Sequence, residues 1–113
     1  MHLTPPPPSL LFVALPLPQD FKTATADKSL SVVDFYATWC GPCKAVAPKL
    51  AALAAETTSV KFYKMDVDEV EDVAEAEGVN ALPTFKLYKD GKCVATSQGA
   101  NIEAIKANIA KFA

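Results

Sequence analysis

Arginine is missing from this chain, and neither sign of charge dominates. All 11 of its cationic residues are lysine, Asp and Glu together number 13, and the formal net charge at pH 7 is -2. Nucleic-acid binders normally carry a basic excess in which arginine is prominent, so this composition argues against a nucleic-acid partner. The lack of arginine also argues against a mitochondrial transit peptide.

Long apolar runs are missing as well. None approaches the roughly 20 residues that a membrane-spanning helix needs. The apolar stretch from Ser9 to Leu17 follows four prolines, has no Lys or Arg before it and lacks an Ala-x-Ala-like cleavage site, which argues against a secretory signal. We therefore expect no membrane partner and a cytoplasmic location.

Cysteine is scarce. Three cysteines are too few, and odd in number, for a secreted scaffold held together by disulfides. Two of them form a Cys-x-x-Cys run from Cys40 to Cys43, which in a reducing compartment indicates either redox catalysis or part of a metal site. A zinc site of four ligands would need a second pair, and only Cys93 and His2 remain. We therefore expect no metal site.

The chain has the size and composition of one folded domain. Its 113 residues are half hydrophobic and 21% charged, which is ordinary for a packed globular protein. The four prolines 5–8 force an extended backbone, so we interpret residues 1–10 as a Pro-rich N-terminal extension. A flexible tail is favoured over a proline-rich ligand because no basic residues flank the prolines. Residues 11–113 are predicted to form the domain.

From residue 11 onward, strand and helix patterns alternate. Predicted strands cover residues 11–15, 30–37, 60–67, 84–88 and 93–96, and predicted helices cover 19–26, 42–57, 69–77 and a last segment capped by Asn101. Asp90-Gly91 predicts a hairpin turn between the last two strands. The order βαβαβαββα predicts an α/β fold with a central mixed five-stranded sheet flanked by four helices.

Apolar residues at helical spacing predict the buried faces of two helices. They are Val46, Leu50, Leu53 and Ala54 in the second helix and Ile102, Ile105, Ala107 and Ile109 in the last. The strand from Leu30 to Ala37 is nearly continuously apolar, as expected when both faces are covered.

The position of the Cys-x-x-Cys run favours redox chemistry. Cys40 directly follows a buried strand, and Pro42 suits the first turn of a helix. Cys40 would then lie beside free backbone amides and the positive end of the helix dipole, which lower the pKa of a thiol. Cys43 lies one turn later, close enough to form a disulfide but directed inward, whereas Cys40 is expected to be reachable at the tip of the helix. This predicts a reversible couple with Cys40 as nucleophile, whereas two core cysteines or half a metal site are the alternatives.

Two charged residues fall in apolar strands. Asp34 lies between Val33 and Phe35, and burial would raise its pKa toward neutrality and suit it to accept a proton from Cys43. An Asp that faces solvent or bonds a backbone amide is an equal alternative. Lys64 either lies beside Asp34 and tunes its pKa, or is an ordinary exposed lysine.

Two prolines occupy unusual places. Pro83 begins a strand, where either a cis bond that presents the backbone to a substrate strand or a plain trans loop fits. Pro48 lies inside the second predicted helix and predicts a kink that sets the turn with both cysteines at a different angle.

These features together resemble the thioredoxins over about Phe12–Ala113. The resemblance is carried by the run Val-Val-Asp-Phe-Tyr-Ala-Thr-Trp-Cys-Gly-Pro-Cys-Lys (32–44), Pro48, Lys64–Asp68, Leu82–Phe85 and Gly99–Asn101. The last of these looks most like the cytosolic thioredoxins of fungi and animals. The segment before Asp34 is shorter and richer in proline than usual, so the first strand and helix are expected to be displaced or frayed.

The resemblance implies the thioredoxin fold and a protein-disulfide reductase that contributes to cell redox homeostasis. It implies Cys40 as the nucleophile, Cys43 as the resolving thiol and disulfide partner, and Asp34 as the group that assists deprotonation of Cys43, with Lys64 nearby. The residues implied to tune the redox potential are Gly41 and Pro42, and those implied to shape a flat apolar surface for partner proteins are Trp39, a cis Pro83, Thr84 and Gly99.

The partners follow from the same resemblance. They are disulfide-containing substrate proteins and an NADPH-dependent flavoprotein thioredoxin reductase, and no bound cofactor is required. We expect a monomer, although an exposed Cys93 could link two chains by a disulfide, as in crystals. Two other functions remain open: a binding module without turnover, and an oxidase or isomerase of a secretory compartment.

Overall fold

The computed structural model describes residues 12–113. Its elements are β1 Phe12–Ala14, α1 Pro18–Thr25, β2 Ser31–Tyr36, α2 Gly41–Glu56, β3 Lys61–Asp66, α3 Glu71–Ala76, β4 Thr84–Lys89, β5 Lys92–Gln98 and α4 Ile102–Phe112. This is the predicted order of five strands and four helices. The predicted Pro-rich extension (1–10) and residue 11 lie outside the described residues.

One mixed sheet joins all five strands in the order β1-β3-β2-β4-β5. β1, β3 and β2 run parallel, whereas β4 is antiparallel to both β2 and β5. β2 is central, and Val32, Val33 and Phe35 on its two faces are completely buried, which confirms the prediction of a strand covered on both sides. In this register Asp34 lies opposite Lys64 of β3 and Phe85 of β4.

Each face of the sheet carries a separate apolar layer. One layer joins the sheet to α2 and α4, and its members include Val32, Leu50, Phe62, Phe85 and Ile105. The other joins it to α1 and α3, and its members include Phe21, Val33, Phe35, Val73 and Tyr88. Because side chains alternate along a strand, Asp34 lies on the same face as Val32, toward α2.

The predicted apolar face of α2 is confirmed, but that of α4 is wrong at one position. Ala107 is exposed, whereas Phe112 packs against the core. Two residues advance a helix by about 200°, so Ala107 lies on the side opposite Ile105. Phe112, seven positions after Ile105, returns to the buried side.

The first two elements are present despite the short segment before Asp34. β1 pairs with β3 through Phe12 and Phe62, and α1 buries Phe21. α2 runs across Pro48 as one helix, and the kink there stays a prediction. None of the helices within residues 12–113 is both long and apolar enough to span a membrane.

Candidate active site

The two cysteines of the Cys-x-x-Cys run form a disulfide at the start of α2. Cys40 is the N-cap residue, with an extended backbone, and Cys43 lies in the first turn of the helix. Their Cα atoms are 5.3 Å apart, within the usual disulfide range. The Cys43 amide donates a hydrogen bond of 3.2 Å to the Cys40 sulfur. A capping amide and the helix dipole both favour negative charge on that sulfur once the disulfide is reduced.

Solvent exposure does not separate the two sulfur-bearing residues in the disulfide form. Cys40 is 4% exposed and Cys43 8%, whereas the sequence predicts a reachable Cys40 and an inward Cys43. What distinguishes them is their position in the helix, because the hydrogen bond from the Cys43 amide is accepted by the sulfur of Cys40. The exposed Gly41 and Pro42 fill the first two helical positions, and Pro42 has no N–H that needs a partner there.

Asp34 lies behind the disulfide on the central strand. Its Oδ1 atom is buried, and no protein group within residues 12–113 donates a hydrogen bond to it. Burial raises the pKa of this carboxyl to about 7, because the charged form loses its hydration, and the nearby Lys64 opposes the shift. Asp34 is half-buried as a residue, and its carboxyl has the raised pKa expected of the buried alternative.

A cleft connects this carboxyl with Cys43. Its volume is about 390 Å³, and it is lined by Asp34, Tyr36, Ala37, Thr38, Cys43, Lys44, Ala47 and Lys64. Lys64 is half-buried, directly opposite Asp34 in the sheet, and its ammonium lies 5.9 Å from the centre of the Tyr36 ring. Water that enters the cleft can therefore reach both the carboxyl and the cysteine side chain.

A second cleft lies in front of the disulfide. Its volume is about 500 Å³, and it is lined by Trp39, Cys40, Gly41, Pro42, Val67, Val79, Asn80, Ala81 and Leu82. Trp39 is 68% exposed, and its indole N–H donates a hydrogen bond of 2.8 Å to Asp68 Oδ2. A large apolar side chain held in place at the rim suits contact with another protein.

Three of the residues expected at this surface, Pro83, Thr84 and Gly99, do not line this cleft. Pro83 and Thr84 are almost completely buried, and the Leu82–Pro83 bond is cis. The Thr84 hydroxyl donates to the Ala81 carbonyl at 2.6 Å, and the Gly99 amide donates to the Pro83 carbonyl at 2.8 Å. These two hydrogen bonds hold the end of the segment that lines the cleft. Trp39 is the predicted surface residue whose side chain lies at the cleft itself.

Sequence reasoning missed most of the cleft wall. Val67 and the run from Val79 to Leu82 line it, and no spacing rule connects them with the cysteines. The signal available was small and apolar residues directly before Pro83, a position that already suggested an irregular backbone.

Cys93 is not part of the site. It is exposed on β5 opposite Tyr88, with its sulfur 3.5 Å from the Ala95 carbonyl. Within the described part of the chain no three His, Cys, Asp or Glu side chains are grouped to hold a metal ion, and His2 lies outside it. The arrangement as a whole can form and break one disulfide.

Comparisons with known proteins agree with this chemistry. A family model described as Thioredoxin matches residues 13–111. The chain is 52% identical over 91 residues to Thioredoxin-1 of Saccharomyces cerevisiae, covering 80% of this chain and 88% of that protein. It is 48% identical over 95 residues to a thioredoxin of Geodia cydonium, covering 81% and 90%. The X-ray structure of Fasciola hepatica thioredoxin superposes with a TM-score of 0.87 at 40% identity, covering 90% of this chain and all of that one.

Proposed function

The chain belongs to the thioredoxin family, and from this membership we propose how its residues carry out dithiol–disulfide exchange. The protein is a thiol–disulfide oxidoreductase, and its partners are proteins that contain disulfides. The observation that carries the proposal is the Cys40–Cys43 disulfide at the start of α2, with the Cys43 amide directed at the Cys40 sulfur.

The reaction transfers two electrons to the substrate in two steps. The Cys40 thiolate attacks one sulfur of a substrate disulfide, so the substrate S–S bond breaks, a mixed disulfide forms, and the departing thiolate takes a proton. Cys43 then loses its proton and attacks the Cys40 sulfur. The mixed disulfide breaks, the Cys40–Cys43 disulfide forms, and the second substrate thiolate leaves and is protonated. The products are a reduced dithiol and an oxidised protein.

Asp34 assists the second step. A thiol near its ordinary pKa is mostly protonated at neutral pH, so Cys43 needs a proton acceptor before it can attack. Support comes from the buried carboxyl with a pKa raised to about 7 and from the cleft that it shares with Cys43. Lys64 opposes part of the shift and keeps the pKa from rising further. Gly41 and Pro42, the two residues between the cysteines, set the redox potential through the first turn of α2.

The cleft in front of the disulfide receives the partner protein. Trp39 provides the exposed apolar contact, while Pro83, Thr84 and Gly99 support the wall opposite it. We expect Trp39→Ala to raise the KM for a protein disulfide while the fold stays intact, because the side chain is mostly exposed. An unchanged KM would show that Trp39 does not contact the partner protein.

Each cycle leaves an oxidised protein, so a donor of two electrons must restore it. We assign this role to an NADPH-dependent flavoprotein thioredoxin reductase, since the chain itself resembles the proteins that such enzymes reduce. The test is NADPH consumption when the reductase, this chain and insulin are mixed, with Cys40→Ser as the matched blank.

We place the protein in the cytoplasm, where thiols are kept reduced. The Gly-Pro pair between the cysteines supports a reducing role, and a redox titration separates this from oxidation in a secretory compartment. A potential far more oxidising than a cytosolic couple would contradict the assignment. Microscopy of a fluorescent fusion in the source cell tests the location directly.

Insulin reduction with dithiothreitol as electron donor tests the roles of the cysteines. Turnover should be lost in Cys40→Ser. Pre-reduced Cys43→Ser, mixed with insulin after the dithiothreitol has been removed, should accumulate a mixed disulfide that mass spectrometry detects. Cys93→Ser is the matched control and should keep full activity. A pure binding module would tolerate Cys40→Ser without any change in its function.

A further inference from the structure

One wall of the cleft in front of the disulfide is the segment Gly78–Leu82, which joins α3 to β4. Four of its residues, Val79 to Leu82, line the cleft. The end near β4 is held by the hydrogen bonds that Ala81 and Pro83 accept from Thr84 and Gly99. What holds the other end decides whether the wall has one position or several.

The segment leaves α3 through a tight helix stop. Gly78 has a φ of +70°, its amide donates to the Glu75 carbonyl at 3.0 Å, and the Val79 amide donates to the Ala74 carbonyl at 2.9 Å. This is the Schellman pattern of helix ends. However, α3 has only 6 residues, and a helix that short has little stability of its own. The direction in which the segment leaves therefore depends on what anchors the end of α3.

A buried tyrosine provides that anchor. Tyr88 of β4 is 3% exposed, and its hydroxyl donates a hydrogen bond to the carboxylate of Glu77, the C-cap residue of α3. The ring is fixed in turn by Phe21, whose ring packs edge-on against it with centroids 5.3 Å apart. A phenol in this position would be a buried donor without a partner if Glu77 were absent, which is unfavourable.

Both ends of the segment are thus tied to a single strand. Thr84, at one end of β4, holds the residues before Pro83, and Tyr88, near the other end, holds the end of α3. Because β4 lies inside the sheet between β2 and β5, it is a rigid reference for both attachments.

We propose that Tyr88 and Glu77 are a positioning pair that sets the Val79–Leu82 wall and thereby the affinity for protein substrates, without taking part in the sulfur chemistry. This rests on the proposed function of the cleft as the substrate surface. The pair acts on docking because the residues that it positions line the cleft, while neither of its own side chains does.

The test compares a protein disulfide with a small one. We expect Tyr88→Phe and Glu77→Ala to raise the KM for insulin by about two- to tenfold at nearly constant kcat, the range that one hydrogen bond explains. Reduction of dithiobis(nitrobenzoate), which is too small to need the wall, should be unchanged. Glu77→Gln keeps an oxygen acceptor and should behave like the native chain. The double variant should have an insulin KM no higher than that of the single variant with the larger increase, because both substitutions remove the same hydrogen bond.

The matched control is Thr25→Val. Its buried hydroxyl donates to the Phe21 carbonyl at 2.9 Å, and Thr25 does not line the cleft. We expect this variant to lower the free energy of unfolding without changing either KM, which separates positioning from general stability. Glu77→Ala alters a half-buried side chain, so it provides a folded variant even if Tyr88→Phe does not fold.

An unchanged insulin KM in folded Glu77→Ala, or an equal change for the small disulfide, overturns the positioning role. Trp39→Ala distinguishes failure of the positioning pair from failure of the proposed docking surface. If it raises the insulin KM while the pair variants do not, the substrate cleft stands and the positioning pair fails. If none of these variants changes the insulin KM, the cleft itself is not the docking surface.

Discussion

At the scale of single residues, two opposing effects of different size determine the pKa of the Asp34 carboxyl. Burial disfavours the carboxylate, whereas the Lys64 ammonium favours it, and burial is the larger effect. The result is a pKa of about 7 instead of 3.8, so the carboxyl titrates close to neutral pH. A pKa close to neutral pH suits the role of proton acceptor that we propose for this carboxyl.

The first prediction concerns the step in which Cys43 attacks the mixed disulfide. In the native chain its rate should rise with pH through about 7, as Asp34 becomes ionised. Asp34→Asn cannot accept the proton, so the step should be slower by roughly tenfold or more at neutral pH and should lose this inflection. Stopped-flow fluorescence of Trp39, the one tryptophan of the chain, follows the step. A variant with the native rate and pH profile would contradict the role of Asp34.

The second prediction concerns Lys64. Because its charge lowers the pKa of Asp34, Lys64→Met should move the inflection of the same step to a pH above about 7. Lys86→Met is the matched control, since Lys86 lies opposite Val33 on β2, on the other face of the sheet from Asp34. An inflection that stays in place in Lys64→Met, or moves equally in both variants, would show that Lys64 does not tune the carboxyl.

At the scale of elements, the start of α4 depends on one side chain. Asn101 is the N-cap residue, and its side-chain oxygen accepts a hydrogen bond of 3.2 Å from the Ala104 amide. Asn101→Ala should lower the free energy of unfolding by about 1 kcal/mol, because that amide loses its partner. Urea denaturation measures the loss. Asn108→Ala inside the same helix should be neutral or stabilising, since alanine is the better helix former. Equal losses in both variants would exclude a capping effect.

The hairpin between β4 and β5 depends on backbone conformation. Asp90 and Gly91 have φ values of +54° and +79°, which is the pair of positive angles that a two-residue hairpin turn requires. A Cβ atom at Gly91 would meet nothing within 4 Å, so Gly91→Ala tests the φ angle alone. We expect a loss of about 1 kcal/mol in thermal or urea unfolding. Gly41→Ala is the control, because space is open there too and its φ is not positive. A loss of the same size at Gly41 would contradict the explanation.

Sequence patterns were enough to predict every element within residues 12–113, because caps, turn residues and apolar spacing are local. Asn101 and Asp90-Gly91 are caps and turns that the structure confirms. The sequence predictions were wrong or incomplete where the burial or the contacts of a residue depend on neighbours that are distant in the sequence. Ala107 is apolar yet exposed, and Glu77 meets Tyr88 only because α3 packs on the sheet. Val67 lines the cleft for the same reason, so these contacts depend on tertiary packing that local patterns do not carry.

At the scale of the whole molecule, the role that we propose for Asp34 and the stability of the fold make opposite demands on its carboxyl. The same burial that would make Asp34 a base near neutral pH holds its carboxyl between β2 and α2, where the charged form is disfavoured. Unfolding returns that carboxyl to water, where it ionises freely at its ordinary pKa. The cost to the native state therefore depends on pH.

The last prediction follows from the sign of this effect. The folded pKa, about 7, lies above the ordinary value of 3.8, so between these values the native state holds a proton that the unfolded state has released. The contribution of Asp34 should therefore become less favourable as pH rises from about 4 to 7, by up to about 1.4 kcal/mol per pH unit, and then stay constant. Asp27 has the opposite shift, a pKa lowered mainly by its hydrogen bond with Lys61, so its stabilisation is already complete above about pH 5 and cancels when variants are compared there.

Urea unfolding of the native chain and Asp34→Asn, both in the disulfide form, measures the difference at several pH values between about 5 and 8. Asparagine does not titrate, so the variant should lack the decline, and its stability relative to the native chain should increase steadily up to about pH 7. The slope is the decisive quantity because a constant offset from the buried amide does not affect it. Parallel stability curves for the two proteins would mean that the carboxyl titrates equally in the folded and unfolded states, and then burial could not support the role as a base that we propose for Asp34.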